Sequence, residues 1–319
     1  MNRAPRVVLI TGASSGIGRA AALQTASAGD HLILAARGAT ALLDVARECE
    51  AAGAASALLI PTDVGDDVAA AKCVTRVLAE HGRLDLVLHC AGVVAYGRTE
   101  EVPAEIFDGV LRTNLIGSVN VARHVLPVLR RQRYGDLLFV GSVIGHIAVP
   151  SMSAYVLSKW GVRALARQLQ LENRDLRDVH ILYVAPGGVD TPIYEQAANY
   201  AGFLGRPPPP VASPEHVARV ALKRVKRARA TSQIGWSNNL IRFGFTAAPW
   251  AFEALVGPLY RLAARDSTRP VAPSPGNVLD SRPANNRLHG EQGSAVIGVA
   301  RNLDARLRTV RAARAAGSR

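Results

Sequence analysis

Short, unbroken apolar runs alternate with longer amphipathic stretches from the first residues onward. "RVVLITG" (6–12), "HLILAAR" (31–37), "SALLIPTDV" (56–64), "LDLVLHCAG" (84–92), "GDLLFVGS" (135–142) and "VHILYVAPG" (179–187) read as strands. Their lack of polar alternation leaves no face for water, so both faces are expected to be covered. Residues 17–28, 40–52, 66–81 and 153–173 carry helical spacing between them. Strands alternating with helices at this spacing predict βαβ units, and so an α/β fold with a doubly wound parallel sheet.

The pattern changes after Thr191. Residues 192–212 contain Pro192, several aromatics and the run Pro207–Pro210, which is loop or lid chemistry. A basic helix follows, then a last strand in "TSQIGW" (231–236). Residues 243–264 are strongly apolar but interrupted by Pro249, Gly257 and Pro258. From residue 266 the chain turns rich in Pro, Asn, Ser and Arg, for which disorder is expected. Three units follow: a core domain over 1–235, an apolar helical segment over 236–265, and a disordered basic tail over 266–319.

Composition changes this picture in two places. The net charge of +13 is unevenly placed: residues 215–230 carry +5 and residues 267–319 carry +6, so the first 214 are nearly neutral. The basic character belongs to the appendage, and no aromatics are interleaved with it as base-stacking platforms would be, so nucleic acid is not expected as a partner. The three cysteines, Cys49, Cys73 and Cys90, have neither disulfide nor metal-ligand spacing. A reducing, cytoplasmic setting and no metal are expected. The apolar run at the start is too short for a signal segment.

The candidate chemistry lies at two places. "TGASSGIG" sets Gly12, Gly16 and Gly18 between the first strand and a helix opening, where backbone N–H groups and the helix dipole favour a pyrophosphate. The second strand ends in Ala36 and Arg37 with no carboxylate, which favours a 2′-phosphate and hence NADP over NAD. In "SMSAYVLSKW" (151–160), Tyr155 precedes Lys159 by one helical turn. An ammonium beside a phenol is expected to lower its pKa and ready it for proton exchange.

Taken in order, TGxxxGxG (11–18), Asp63–Val64, "CAG" (90–92), "NLIG" (114–117), Ser142, YxxxK (155–159) and "PGGVDT" (186–191) resemble the short-chain dehydrogenase/reductase family over residues 6–235. The resemblance implies a Rossmann-type fold and a hydride-transferring oxidoreductase. It assigns Tyr155 as general acid or base, Lys159 as its activator and ribose ligand, Ser142 as the group polarising the carbonyl, and Asn114 as anchor of a water-linked proton path. It places cofactor contacts at Gly12, Ser14, Ser15, Gly16, Ile17, Gly18, Arg37, Asp63, Val64, Cys90, Ala91, Gly92, Tyr155, Lys159, Pro186, Gly187, Val189 and Thr191. Cys90 stands where the family usually has asparagine, so strand-tying hydrogen bonds are expected to be lost, with no cation identifiable nearby to activate the thiol.

Ile193, Tyr194, Tyr200, Phe203 and Leu204 make the expected lid apolar, so the expected substrate is an apolar alcohol or ketone. The helices corresponding to 115–132 and 153–173 pair in oligomeric members, which implies a dimer or tetramer. Two placements stay open for 243–264: packing on the core or a subunit, or peripheral membrane contact together with the basic helix from 219. The alternative to an enzyme is a non-catalytic nucleotide-binding redox sensor or scaffold with the same fold.

Overall fold

This computed structural model describes residues 4–228 and 230–316. Among them one parallel sheet is built from β1 (Val7–Thr11), β2 (His31–Ala36), β3 (Ser56–Pro61), β4 (Leu86–His89), β5 (Gly135–Val140), β6 (Val179–Pro186) and β7 (Thr231–Ile234). The order across the sheet is β7-β6-β5-β4-β1-β2-β3. The winding direction reverses between β1 and β4, and an open α/β sheet forms its ligand crevice outside the carboxyl ends at such a point. The expected Rossmann-type architecture is present.

The apolar strands divide their side chains between two layers, because successive residues of a strand point to opposite faces. Val7 and Leu9 of β1 pack with residues of α3 (Asp67–His81), α5 (Gly117–Gln132) and α6 (Ser153–Glu172), while α4 (Ala104–Leu111) precedes α5. Val8 and Ile10 pack on the other face with α1 (Gly16–Ala26), α2 (Ala39–Ala51) and α7 (Pro214–Lys226). Helix ends follow local chemistry. Asp66 caps α3 by accepting from Val68 and Ala69 N–H at 2.8 and 3.1 Å, and Ser213 caps α7 just before Pro214.

The apolar segment forms two helices, α8 (Trp236–Ala247) and α9 (Pro249–Ala263). Pro249 opens α9, where a missing N–H costs no helix hydrogen bond. Edge-on stacking of Phe245 on Phe252 (5.1 Å) and on Trp160 of α6 (6.1 Å) seats the pair against the core. Asn238 donates to the carbonyls of Ala185 and Ile234, tying α8 to the ends of β6 and β7.

The disorder expected over residues 266–319 is not what the described part shows: it carries secondary structure, and residues 317–319 lie outside the described residues. Arg265–Pro270 pairs antiparallel with Phe203–Gly205 of the lid, and α10 (Ala295–Ala316) follows later. Between them, residues 271–292 cross the carboxyl edge of the sheet. Ser274 exchanges two backbone hydrogen bonds with Asn199, and Val278 is buried among Ile106, Val110, Ala154 and Ala198. The segment is poor in apolar residues, yet its main-chain groups find partners on the core, and that is sufficient to order it.

At the opposite edge the fold depends on a buried carboxylate. Asp30, with its side chain 0% exposed, accepts from the Arg6 backbone N–H at 2.9 Å and from its guanidinium at 2.8 Å, joining the starts of β1 and β2. Asp30→Ala removes the partner of a largely buried cation and is expected to cost about 3 kcal/mol of unfolding free energy, measured by urea denaturation.

Candidate active site

The turn after β1 is shaped by glycine. Gly12 has φ +65°, and a Cβ there would lie 2.8 Å from the Ala91 backbone; a Cβ on Gly18 would overlap the Gly12 carbonyl oxygen. Strand, turn and helix therefore close on one another only without side chains, and α1 opens with its first N–H groups at the sheet edge. A cavity of about 140 Å³ lies there. Of the expected cofactor residues, Gly12, Ser14, Ser15, Gly16, Ile17, Gly18, Arg37, Asp63, Val64, Cys90, Ala91, Gly92 and Thr191 line it. Tyr155, Lys159, Pro186, Gly187 and Val189 stand outside its wall. The glycine cradle, the arginine ending β2 and the amides of the helix start are the donor set that a dinucleotide's phosphates require.

The catalytic candidates sit at the carboxyl ends of β4 and β5 and on the first turns of α6. Ser142 follows β5, and its Oγ accepts from Ile144 N–H at 3.2 Å, which leaves its own proton free to be donated beside the Tyr155 phenol. The Lys159 ammonium donates to the Val140 carbonyl at 3.2 Å and lies 5.6 Å from the Tyr155 ring centroid. Asn114 belongs to a π turn, Arg112–Ile116, between α4 and α5. Its Oδ1 accepts from Val93 N–H at 2.8 Å, while its Nδ2 donates to the Val93 carbonyl and to Ser158 Oγ, both at 2.9 Å. Ser158 donates to the Tyr155 carbonyl at 2.8 Å, so Asn114 fixes the turn of α6 that carries the pair.

Burial overrides the electrostatic expectation for this pair. The phenol of Tyr155 is pushed above its ordinary range by desolvation, against the lowering hydrogen bond from Ser142, and Lys159 is pushed down to about 8 by the same desolvation. The expected lowering of the phenol by the ammonium is not seen in this structure. The ammonium stands more than 5 Å off the ring, and loss of water penalises both charged forms. A phenol that keeps its proton is suited to giving it to a carbonyl.

One buried group that the sequence did not single out organises the rest. His89 ends β4, and burial with the nearby Lys159 pushes it down to about 3, so it is neutral. Ser118 Oγ donates to the Asn114 carbonyl at 2.6 Å and therefore accepts from His89 Nε2–H at 2.9 Å. Nδ1 must then accept from Thr11 Oγ at 2.8 Å, whose oxygen in turn accepts from Ala91 N–H at 3.3 Å. This chain runs in one direction from the glycine turn to the π turn. A lone histidine in an apolar strand carries no spacing signal, so only the fold exposes it.

Cys90 departs from expectation in one respect. Lys159 is a cation beside it, unrecognised from sequence, yet burial wins and pushes the thiol up to about 12, so no nucleophile results. Backbone bonds tie the strands here instead, Cys90 N–H donating to the Thr11 carbonyl at 3.2 Å. Also missed were Asn277, Ser281, Arg282 and Asn286, which form the outer cavity wall from the far end of the chain.

A family model described as short chain dehydrogenase matches residues 6–200. The chain belongs to the short-chain dehydrogenase family. It is 33% identical over 215 residues to a sepiapterin reductase of Chlorobaculum tepidum, covering 65% of this chain and 87% of that one. It is 30% identical over 235 residues to a 3-dehydrosphinganine reductase of Danio rerio, covering 72% and 70%. Among solved structures, an alcohol dehydrogenase of the archaeon Thermococcus sibiricus, complexed with 5-hydroxy-NADP, superposes with a TM-score of 0.62 at 28% identity, over 72% of this chain and 94% of that one. This short-chain dehydrogenase is an NAD(P)-dependent oxidoreductase of carbonyl and alcohol groups.

For such an enzyme the lowered Lys159 sets a pH limit. Its charge is present below pH about 8 and lost above, while Tyr155 stays protonated throughout that range. Reductive turnover is expected to fall as pH rises through about 8, seen as one descending limb in kcat against pH. A flat profile to pH 10 would contradict the assignment.

Proposed function

We propose that the chain is an NADP(H)-dependent reductase converting an apolar ketone to a secondary alcohol. The observation that carries this reading is the buried hydroxyl pair of Ser142 and Tyr155, backed by Lys159 and opening onto apolar surroundings. Tyr155 packs with Tyr96, Met152, Phe203 and Tyr260, and Ile193 and Tyr194 of the lid lean on the same cluster. Polar substrates would leave hydrogen-bonding groups unpaired there. Preference for NADP rests on Arg37 and the absence of a carboxylate ending β2, and the archaeal relative carrying 5-hydroxy-NADP supports it.

When bound, the nicotinamide supplies the hydride. The remaining work belongs to this chain. Ser142 directs its hydroxyl proton at the substrate oxygen, where negative charge builds, and Tyr155 delivers its own proton to that oxygen. Lys159 offsets the phenolate left behind. Asn114 anchors the path that returns a proton to Lys159: both its Oδ1 and the Lys159 ammonium border Gly92. Gly12, Ser14, Ser15, Gly16, Ile17 and Gly18 hold the pyrophosphate end, and Arg37, Asp63 and Val64 the adenosine end. Cys90, Ala91 and Gly92 border the middle. Thr191 closes the nicotinamide end with Pro186, Gly187 and Val189 behind it, Gly188–Val189 being paired with Val211–Ala212.

Tyr155→Phe is expected to reduce turnover of lipophilic ketones at least 1,000-fold while NADPH affinity changes less than threefold, measured by absorbance kinetics and cofactor fluorescence, with NADH alongside. Retained turnover overturns the mechanism. Persistent inactivity of the parent chain with tight cofactor binding would favour a nucleotide-binding sensor or scaffold.

Two assembly properties belong to the same reading. Ile116, Leu157 and Leu171 are exposed on or beside α5 and α6, the face through which a homodimer forms. Helices α8 and α9 expose Trp236 (76%), Phe243 and Trp250 (78%), with Arg242 and Arg261 on the same two helices. Among the described residues no helix is long and apolar enough to cross a membrane. The pair is suited to lying in an anionic lipid surface beside the basic face of α7, in a cytoplasmic, peripheral location. Sedimentation with phosphatidylserine vesicles but not with neutral ones is the expected outcome, and Trp236→Ser with Trp250→Ser should abolish it. Equal recovery with both vesicle types, or with neither, removes this part of the reading.

A further inference from the structure

Residues 274–292 form a strap across the mouth of the dinucleotide cavity, and what they touch is specific. The Arg287 carbonyl accepts from Gly16 N–H, the first amide of α1, at 2.9 Å, and the Asn286 carbonyl accepts from Arg19 at 3.2 Å. At the other end of the cavity Arg37 donates to the carbonyls of Asn277, Val278 (2.9 Å) and Leu279 (3.2 Å). These are the two places where the site offers donors to anions: a helix start and the arginine ending β2. Both are occupied by carbonyl oxygens, which carry partial negative charge and accept as a phosphate oxygen does. The space left in this partly open cavity, about 140 Å³, is well below the roughly 300–1,000 Å³ of pockets that hold drug-sized ligands, and a dinucleotide is larger than those.

The strap is seated, not merely adjacent. Gly276 takes φ +57°, and a Cβ there would overlap the backbone of Gln196, Ala197 and Ala198. Asn277 N–H donates to the Gln196 carbonyl at 2.8 Å, and the Gln196 side chain donates back to the Asn285 carbonyl at 2.7 Å. At the far end His289 bridges Asp190 (3.0 Å) and Glu215 (2.8 Å), Arg287 pairs with Glu195 at 3.0 Å, and Gln292 donates to the Thr191 carbonyl at 3.0 Å.

We infer that this strap is a built-in competitor of the cofactor: its carbonyls at 277–279 and 286–287 stand in for the 2′-phosphate and the pyrophosphate, and the nucleotide enters only when the strap lifts. The inference rests on the dinucleotide reading of the cavity. A site open for a fraction of the time binds with its affinity reduced by that fraction. Anything that weakens the strap's seat without touching the donors therefore tightens cofactor binding.

The test uses the full chain and two variants outside the catalytic and cofactor-binding residues. Gly276→Val forces the strap off its turn, and His289→Ala removes a far anchor while leaving the core intact. NADPH binding is followed by cofactor fluorescence, and amide hydrogen exchange over 276–290 is measured in the parent chain with and without NADPH. The Kd is expected to fall at least tenfold in Gly276→Val and about threefold in His289→Ala. Exchange over 276–290 is expected to accelerate when NADPH binds. A Kd unchanged or raised in both variants, or strap amides more protected with NADPH, overturns the inference and makes the strap a wall of the site. Binding of neither NADPH nor NADH by any of the three proteins overturns the dinucleotide reading, and the inference with it.

Discussion

Lys159 is 6% exposed, and its ammonium has the Val140 carbonyl as a hydrogen-bond acceptor at 3.2 Å. A cation so poorly hydrated governs what surrounds it. Burial first and this cation second keep His89 neutral, so the ring holds a single tautomer, the one set by the hydrogen bonds that run from Thr11 to Asn114. The same shortage of water holds the Cys90 thiol and the Tyr155 phenol in their protonated forms. The catalytic end is thus a dry assembly whose proton positions are set by desolvation first and by charge second.

Much of this was legible in the residues because it depends on local rules. Each buried strand announces itself as an unbroken apolar run, and the glycines of 12–18 mark a turn that side chains cannot enter. Ser142, Tyr155 and Lys159 are recognisable as a set through the family resemblance that the ordered motifs carry. What spacing does not carry is solvation, so the pKa directions of Tyr155 and Lys159 emerged only with the fold. Composition was blind to the strap for a different reason. "PSPGNVLDSRPANNR" holds few side chains that could build a core, but it docks through carbonyl groups, and every residue has one.

The appendage also changes how the family core presents itself. Phe203–Gly205 of the lid is paired with Arg265–Pro270, and Tyr260 of α9 fills the apolar cluster around Tyr155. Asn302 of α10 donates to the carbonyls of Leu262 and Arg265, holding the end of α9 and the start of that strand. Lid, strap and C-terminal helices are therefore one connected layer over the carboxyl edge of the sheet. The proposed substrate lid and the proposed barrier to nucleotide thus share one stretch of chain.

The π turn at Arg112–Ile116 has a geometric corollary. An extra residue in a helical rod advances its phase by about 100°. Upstream of the turn, Ile106 and Val110 face the small cluster that receives Val278; downstream, Val121, Val125 and Val128 face the main layer beneath the sheet. The widened turn acts as a clutch that lets one nearly continuous rod engage two cores out of step, and Asn114 rides on the slipping segment.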